Sequence, residues 1–514
     1  MFSGLVGGYR DPVQSTHARR RSSLNSNKSG GDAGESEEEM IVDDSEKSML
    51  MAIISQLRPG ADLSRITLPT FILEPRSMLE RITNFMQHPE TLLPMSTIDD
   101  PEQRFVSVVK FYLSGWHIKP AGVKKPLNPI LGERFTCHWD FAAAPGTQAF
   151  YIAEQTSHHP PKSSYFYMAP HHHIRIDGTL KPQSRFLGNS AASMMNTSVV
   201  IMRLLNRGTS AGKQGGGEKY ILTQPNMYVR GILFGKMKYE LGDHAYVRCS
   251  ELDLVADIEF KVKGFFTGAY NAIGGFIKRE STGENLYEIT GSWNADMYIK
   301  NLMTGKREPL FDATQTAATP PTVRPIEKQD ERESQRLWYE VVSALKRRDQ
   351  DVATAEKCKI EDRQREEARL READGVEWQP RYFRPVEPGT GDEDALDFIL
   401  ATHINEEASP EEQIKQILQI APIVDGEPRP SKYDIPPHHP HNDAPHQALP
   451  IGNTATDTPG SESGLIDFSP QVVGQAPASL GGPQLVPTDK GIAPAGQPKP
   501  RSVNSDDEFV DAQS

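Results

Sequence analysis

The sequence predicts an α+β protein built on one large antiparallel sheet or barrel, held between two tails that bury no core. Three observations lead there. Between residues 134 and 301, short runs rich in β-branched and aromatic residues follow one another, punctuated by Gly, Pro and Asn, without a helical pattern between them. Helical periodicity flanks this block, over 45–57, 78–88 and 101–114 before it and 327–373 after it. Beyond Asp425 the composition shifts, with 15 Pro between Pro428 and Pro500, and such a segment reads as linker.

Residues 1–44 run from Arg19-Arg20-Arg21 into an acidic stretch at 35–39 and read as a disordered acidic tail. Over 45–57, Met49, Leu50, Ile53, Ile54 and Leu57 share one helical face, and Pro59-Gly60 ends it. A helix this short is marginal in isolation. It therefore docks, either on the core of its own domain or as a movable lid, assigned here to residues 45–72. In the helix at 101–114, Phe105, Val108, Val109 and Leu113 form the buried stripe. Strands are expected at 134–140, 150–155, 163–168, 198–204, 228–234, 246–258, 286–290 and 296–299. Trp378, Tyr382, Phe383 and Phe398 extend order through 400. The main body is thus 73–400, followed by a short helical extension (401–424), a Pro-rich linker (425–504) and the last ten residues, 505–514.

Composition narrows the function. The chain has 514 residues and a formal net charge of −13, which argues against a basic nucleic-acid binder. Cys137, Cys249 and Cys358 have no metal-ligand spacing and cannot make a disulfide scaffold. No apolar run approaches the roughly 18 residues of a membrane span, and no secretory pattern opens the chain. The expectation is a cytoplasmic protein. A hydrolase is disfavoured: GxSxG is absent, and Gly208-Thr209-Ser210-Ala211-Gly212-Lys213 is one residue short of a P-loop, with Gln214 in place of its Ser or Thr.

The densest local signal is Glu154-Gln155-Thr156-Ser157-His158-His159-Pro160-Pro161. Adjacent residues on a strand face opposite ways, and two Pro cannot continue a central ladder. The segment must leave the sheet, which lets both imidazoles meet one ligand. The pair fits an anion site, a metal pair or a structural turn; no zincin-like carboxylate or Cys supports the metal.

This octapeptide resembles the signature of the oxysterol-binding-protein-related lipid-transfer family. Lys125-Pro126-Leu127-Asn128-Pro129-Ile130-Leu131-Gly132-Glu133 resembles its second box, and Trp378-Gln379-Pro380-Arg381-Tyr382-Phe383 its closing box. The resemblance spans about residues 45–390. It implies an incomplete antiparallel β-barrel around a lipid tunnel, an N-terminal lid and C-terminal helices. It also implies a non-enzymatic carrier with no cofactor, binding phosphatidylinositol 4-phosphate. Carried over residue by residue, the headgroup site is Lys125, Asn128, His158, His159, Lys357, Glu361 and Arg365. The last three lie at i, i+4 and i+8 of one helix and read equally as a solvated salt-bridge ladder. As phosphate ligands, Lys357 and Arg365 would make charge-assisted bonds to a phosphomonoester, with Glu361 positioning them.

A barrel suits such cargo. Exposing about 30 lipid methylenes costs roughly 25 kcal/mol at about 0.8 kcal/mol each, and alternating strands offer an apolar interior. Residues 68–80, with Leu68, Thr70, Phe71 and Ile72 in the lid and Glu74-Pro75-Arg76-Ser77 after it, resemble the branch that carries phosphatidylserine rather than sterol. The plain alternative is that they only pack the lid. At the end of the chain, Asp506-Asp507-Glu508-Phe509-Val510-Asp511-Ala512-Gln513-Ser514 resembles an FFAT motif, the peptide bound by VAP receptors of the endoplasmic reticulum, through Glu508, Phe509, Asp511 and Ala512. Ser514 stands where an acidic residue is usual. A linker of about 80 residues has an r.m.s. reach of about 50 Å. The expected partners are membranes, contacted transiently, and a VAP-type receptor, with no nucleic acid. The expected state is a monomer at endoplasmic reticulum contact sites, with the plasma membrane a candidate partner membrane.

Overall fold

The structure, a computed structural model, describes residues 39–63, 68–195, 197–263, 268–386 and 396–426. The N-terminal tail up to residue 38, the Pro-rich linker from 427 and the FFAT-like residues Glu508, Phe509, Asp511 and Ala512 lie outside the described residues.

One 16-stranded antiparallel sheet dominates. From one end its main path runs Arg134–Asp140, Gln148–Ser157, Lys162–Ala169, Ile174–Leu180, Val199–Leu204, Glu218–Leu222, Lys236–Cys249, Leu254–Phe260, Ala272–Arg279, Asn285–Ser292, Asp296–Asn301 and Arg307–Asp312. The first half of Lys236–Cys249 also carries Asn226–Arg230, and through it Ser190–Met194 and Gln183–Phe186. The two end strands do not pair with each other among the described residues, so the barrel is incomplete. Each end is protected from further pairing. His138 exchanges main-chain bonds with Thr322 (3.0 and 2.7 Å), which covers the first strand. Pro309 interrupts the last.

The sheet wraps the helix Pro101–Ser114, which touches both Lys236–Cys249 and Arg307–Asp312. Asp100 caps that helix by accepting from Gln103 N (2.8 Å), and Pro101 occupies its first position. Phe105, Val108, Val109 and Leu113 are fully buried, as the stripe predicts. They join Leu79, Ile82 and Met86 and the inward residues of nearly every main-path strand in one cluster. Strand Gln148–Ser157 shows the alternation: Ala149, Tyr151 and Ala153 face this interior, while Phe150 and Ile152 face outward beneath Tyr382, Phe383, Leu400, Ile417 and Ile420. The interior leaves a cavity of about 30 Å³ among Phe85, Met86, Phe111, Tyr112, Trp116 and Tyr165.

The N-terminal helix spans Asp44–Ile54 and opens on a capping box between Asp43 and Glu46. Leu50 and Ile54 pack with Phe71, Phe186, Ile232 and Met237, whereas Met49, expected on that face, is exposed. A three-residue strand, Glu39–Ile41, pairs with Lys236–Lys238 and ties down the start of the helix.

Two strand expectations are corrected, and several strands, Ala272–Arg279 among them, were not expected. The run 246–258 is two strands, because Asp253 adopts a left-handed conformation (φ 55°) after the turn Ser250–Leu252. Residues 228–234 are a strand only to Arg230; the turn Ile232–Phe234 sits between Gly231 and Gly235, both at positive φ. Ala272–Arg279 was not expected as a strand because Gly274 and Gly275 weaken its pattern. A side chain at Gly275 would lie 2.1 Å from the Asp257 carbonyl of the neighbouring strand.

Candidate headgroup site

The His158-His159 segment is the turn between Gln148–Ser157 and Lys162–Ala169. The rings lie 4.5 Å apart between centroids, edge to face. The His159–Pro160 peptide is cis. His158 is half-buried and His159 exposed. Each His158 nitrogen meets a different distant segment. Nδ1 lies 3.2 Å from the Pro129 carbonyl, and Nε2 lies 2.7 Å from the Gln364 amide nitrogen. Gln364 in turn accepts from Leu131 N (2.8 Å). Burial, with His159 adding to it, lowers the His158 pKa to about 4.

The second box supplies Lys125 at the start of the short strand Lys125–Leu127, which pairs in parallel with Leu73–Ser77. Lys125 and Asn128 are half-buried. The pKa of Lys125 is lowered by burial first and then by the positive charge of Lys357, against the pull of Asp62 and Glu361. Lys357 is buried on the helix Gln350–Ala373 and donates to Glu361 at 2.5 Å. Lys125, Lys357 and Glu361 therefore share one neighbourhood, with Asp62 of the lid segment beside it. Arg365 points elsewhere: its side chain is 63% exposed and pairs with Asp362. On this helix Lys357 and Gln364 are buried. Sequence reasoning passed over Gln364, seven residues after Lys357 and three after Glu361, because an uncharged amide carries no phosphate signal.

The residues expected in the lid reach the same helix. Thr70 Oγ1 bonds Gln350 Oε1 (2.5 Å) and lies 3.3 Å from Thr354 Oγ1. Phe71 is buried, Leu68 and Ile72 half-buried, and Lys124 Nζ donates to the Phe71 carbonyl (2.5 Å).

The boxes lock onto one another through their acidic residues. Glu154 is buried and its two oxygens accept from Arg381 N (2.8 Å) and Tyr382 N (2.7 Å) of the closing box. Glu133, also buried, accepts from Ser334 Oγ (2.7 Å), Trp338 Nε1 (2.9 Å), Ile130 N (3.1 Å) and Ser77 Oγ. Burial raises the pKa of both carboxyls, against these donors. Gly132 (φ 74°) lies under the Trp378 indole, whose ring carbons would be 2.5 Å from a Cβ there.

Among the described residues no helix is long and apolar enough to cross a membrane, and no three His, Cys, Asp or Glu are grouped to hold a metal ion.

Comparison with known proteins agrees with this architecture. The family model described as oxysterol-binding protein matches residues 52–344 and 341–407. The chain is 53% identical over 398 residues to oxysterol-binding protein homolog 7 of Saccharomyces cerevisiae, covering 77% of this chain and 88% of that protein. It is 54% identical over 356 residues to an oxysterol-binding protein homolog of Schizosaccharomyces pombe (68% and 72%). It is 38% identical over 359 residues to human oxysterol-binding protein-related protein 5 (69% and 39%). Among solved structures, the Osh1 ORD domain in complex with cholesterol superposes with a TM-score of 0.57 at 20% identity, over 73% of this chain and 91% of that one. The Osh3 ORD of Saccharomyces cerevisiae in complex with PI(4)P gives 0.51 at 20% identity, over 72% and 92%. With an incomplete barrel, a family model over most of its length and relatives above half identity, the chain belongs to the oxysterol-binding protein family.

Proposed function

We propose that this protein is a non-catalytic lipid carrier that exchanges phosphatidylserine for phosphatidylinositol 4-phosphate between the endoplasmic reticulum and another membrane. The observation that carries the reading is the meeting of Lys125 and Lys357, both drawn out of water, on the two segments whose Pro129 and Gln364 also bond His158. Two like charges in one partly buried place are costly, and Glu361 and Asp62 offset that cost only in part, since Lys125 remains shifted down. A phosphomonoester offsets the rest with nearly two charges and three acceptor oxygens. Asn128 completes the set, and Arg365 would have to leave Asp362 to join it.

The cavity of about 30 Å³ holds about one water, whereas a ligand-sized pocket takes about 300–1,000 Å³. Loading lipid at that place would require the core side chains that line it, among them Phe85, Tyr112 and Trp116, to move, and the segment 45–72 to act as the lid. Leu68, Thr70, Phe71 and Ile72 would contact the second lipid. Phosphatidylserine is preferred over sterol from residues 68–80; the Osh1 domain, crystallised with cholesterol, makes sterol the second reading. Both lipids compete for one interior, so net direction follows the phosphoinositide gradient. The domain carrying this activity is taken as 73–400, tethered by 425–504 to a VAP-binding motif at 505–514.

The test is extraction and multiple-turnover transfer between vesicles. His158→Ala with His159→Ala should abolish phosphatidylinositol 4-phosphate extraction and leave the fold intact. A folded double variant that still extracts that lipid normally refutes the headgroup assignment. Native mass spectrometry of lipids carried from eukaryotic cells decides the second cargo: phosphatidylserine near one to one supports the reading, and sterol there overturns it.

A further inference from the structure

Hydrogen-bond bookkeeping around His158 leaves no freedom in its protonation. The Pro129 carbonyl only accepts, so Nδ1 at 3.2 Å carries a hydrogen. The Gln364 amide nitrogen only donates, so Nε2 at 2.7 Å is a bare acceptor. The Leu131 N–H at Gln364 Oε1 (2.8 Å) fixes which way that amide is turned. His158 is thereby the neutral Nδ1–H tautomer, with both nitrogens committed and no N–H left for a phosphate. Its low pKa agrees with this geometry.

Titratable groups lie on the three elements that meet at His158. His159 faces it from its own turn. Lys125 belongs to the box that supplies Pro129. Glu361 and Lys357 lie one and two turns before Gln364 on the helix. The hydrogen bonds to the two ring nitrogens of His158 come from the Pro129 carbonyl and the Gln364 amide. A phosphate brought to Nε2 would meet a lone pair. Moving the proton from Nδ1 to Nε2 would leave Nδ1 bare against the Pro129 carbonyl. Adding a proton from solvent keeps the Pro129 bond and turns Nε2 into a donor.

We propose that Gln364 is a positioning residue that holds the phosphate's place on His158, so that headgroup capture displaces its amide and His158 takes up one proton from solvent. This rests on the headgroup reading above and adds to it a proton count and a residue that the sequence did not single out. Phosphoinositide affinity then falls as pH rises through neutrality.

The experiment is calorimetric titration of a soluble short-chain phosphatidylinositol 4-phosphate at pH 7, in buffers of differing ionisation enthalpy. The full chain should take up about one proton per lipid, and lose up to about tenfold in affinity per pH unit above that. Gln364→Glu keeps the Leu131 bond, and its carboxylate favours a protonated His158 before ligand arrives. Proton uptake should therefore fall towards zero and affinity should drop. Gln364→Ala frees Nε2 and should bind about three- to tenfold tighter at pH 7 with a shallower pH dependence. A merely structural role predicts the reverse for Gln364→Ala, weaker binding with undiminished proton uptake. Unchanged uptake in Gln364→Glu, or none in the unmodified chain, overturns the placeholder role while leaving the headgroup site standing. If the unmodified chain does not bind this lipid, both readings fail. Nitrogen-detected spectra of the unmodified protein give a check that needs no variant: His158 must show the Nδ1–H tautomer, and an Nε2–H signal overturns the proposal.

Discussion

Glu154 separates what the octapeptide does for the fold from what it does for a ligand. Its carboxylate is buried and accepts two main-chain N–H groups of the closing box, from Arg381 at 2.8 Å and Tyr382 at 2.7 Å. Glu154→Ala strands both. A buried donor without a partner costs about 1–3 kcal/mol. The Arg381 group is partly exposed and can find water, so it belongs at the low end; the Tyr382 group is buried and belongs nearer 2. The sum is about 3 kcal/mol, a large share of the roughly 5–15 kcal/mol that holds a domain together. Glu154→Gln keeps one oxygen and should lose about half of that. The damage should be local. Tyr382 and Phe383 cover Phe150 and Ile152 on the outer face, and Phe383–Pro385 pairs with Phe398–Leu400. Urea unfolding followed by tryptophan fluorescence measures the loss, and limited proteolysis near residue 381 locates it. The histidine double variant is the comparison: it leaves both Glu154 bonds in place, so proteolysis near residue 381 should match the unmodified chain. A Glu154→Ala protein within about 0.5 kcal/mol of the unmodified one would refute the reasoning, because it would mean the two N–H groups find partners elsewhere.

Gly132→Ala should cost about 2–4 kcal/mol, since it places a Cβ at positive φ and 2.5 Å from the Trp378 ring; a melting temperature unchanged within error would show that the indole simply moves. Acid should weaken the fold through His158. Its pKa is about 4 when folded, against about 6.5 unfolded, so the unfolded chain binds the proton first. That stability is complete above about pH 6.5 and is lost as pH falls towards 4, by about 2 kcal/mol after allowing for partial solvation. His117, lowered to about 4 by burial and by His88, acts in the same sense but is more open to solvent. Glu133 and Glu154, raised by burial, act in the opposite sense, so the measurement is the pH dependence of denaturant midpoints for His158→Gln relative to the unmodified chain. Parallel curves would contradict the assignment. Deleting residues 506–514 should abolish VAP pull-down and leave vesicle transfer in vitro unchanged; retained pull-down removes the motif from the proposal.

Legibility in the sequence followed the range of the interaction involved. Strand Arg134–Asp140 and helix Pro101–Ser114 form where the pattern places them, because alternation and a capped 3.6-residue stripe are local signals. The break at Asp253 was not legible, since neither Gly nor Pro marks it and an Asp supplies the left-handed residue. Ala272–Arg279 was missed because its glycines exist for the neighbouring strand's backbone, a contact that periodicity cannot register. In the candidate site, Lys125, His158, His159, Lys357 and Glu361 came from resemblance, and the fold brings their segments together. Gln364 came from neither source, since its two bonds span 233 and 206 residues. One amide joins the second box to the octapeptide only once the chain is folded.

Those long bonds also explain why three short boxes, far apart in the chain, read as one motif. Glu133 gathers Ser77, Ser334 and Trp338, Glu154 holds 381–382, Gly132 admits Trp378, and Gln364 spans Leu131 and His158. None of these need touch a phosphate. They fix the main chain from which Lys125, Lys357 and the histidines project, and a site assembled from lysines on flexible stems depends on such fixing. The division has a consequence for any variant in the boxes. Changes at Glu133, Glu154 or Gly132 should move stability and headgroup affinity together. Changes at Lys125, His158, His159 or Lys357 should move affinity with little effect on stability. Gln364 stands between the classes: it is bonded like the first and acts on the ligand like the second, so its variants should change the proton count and the affinity together.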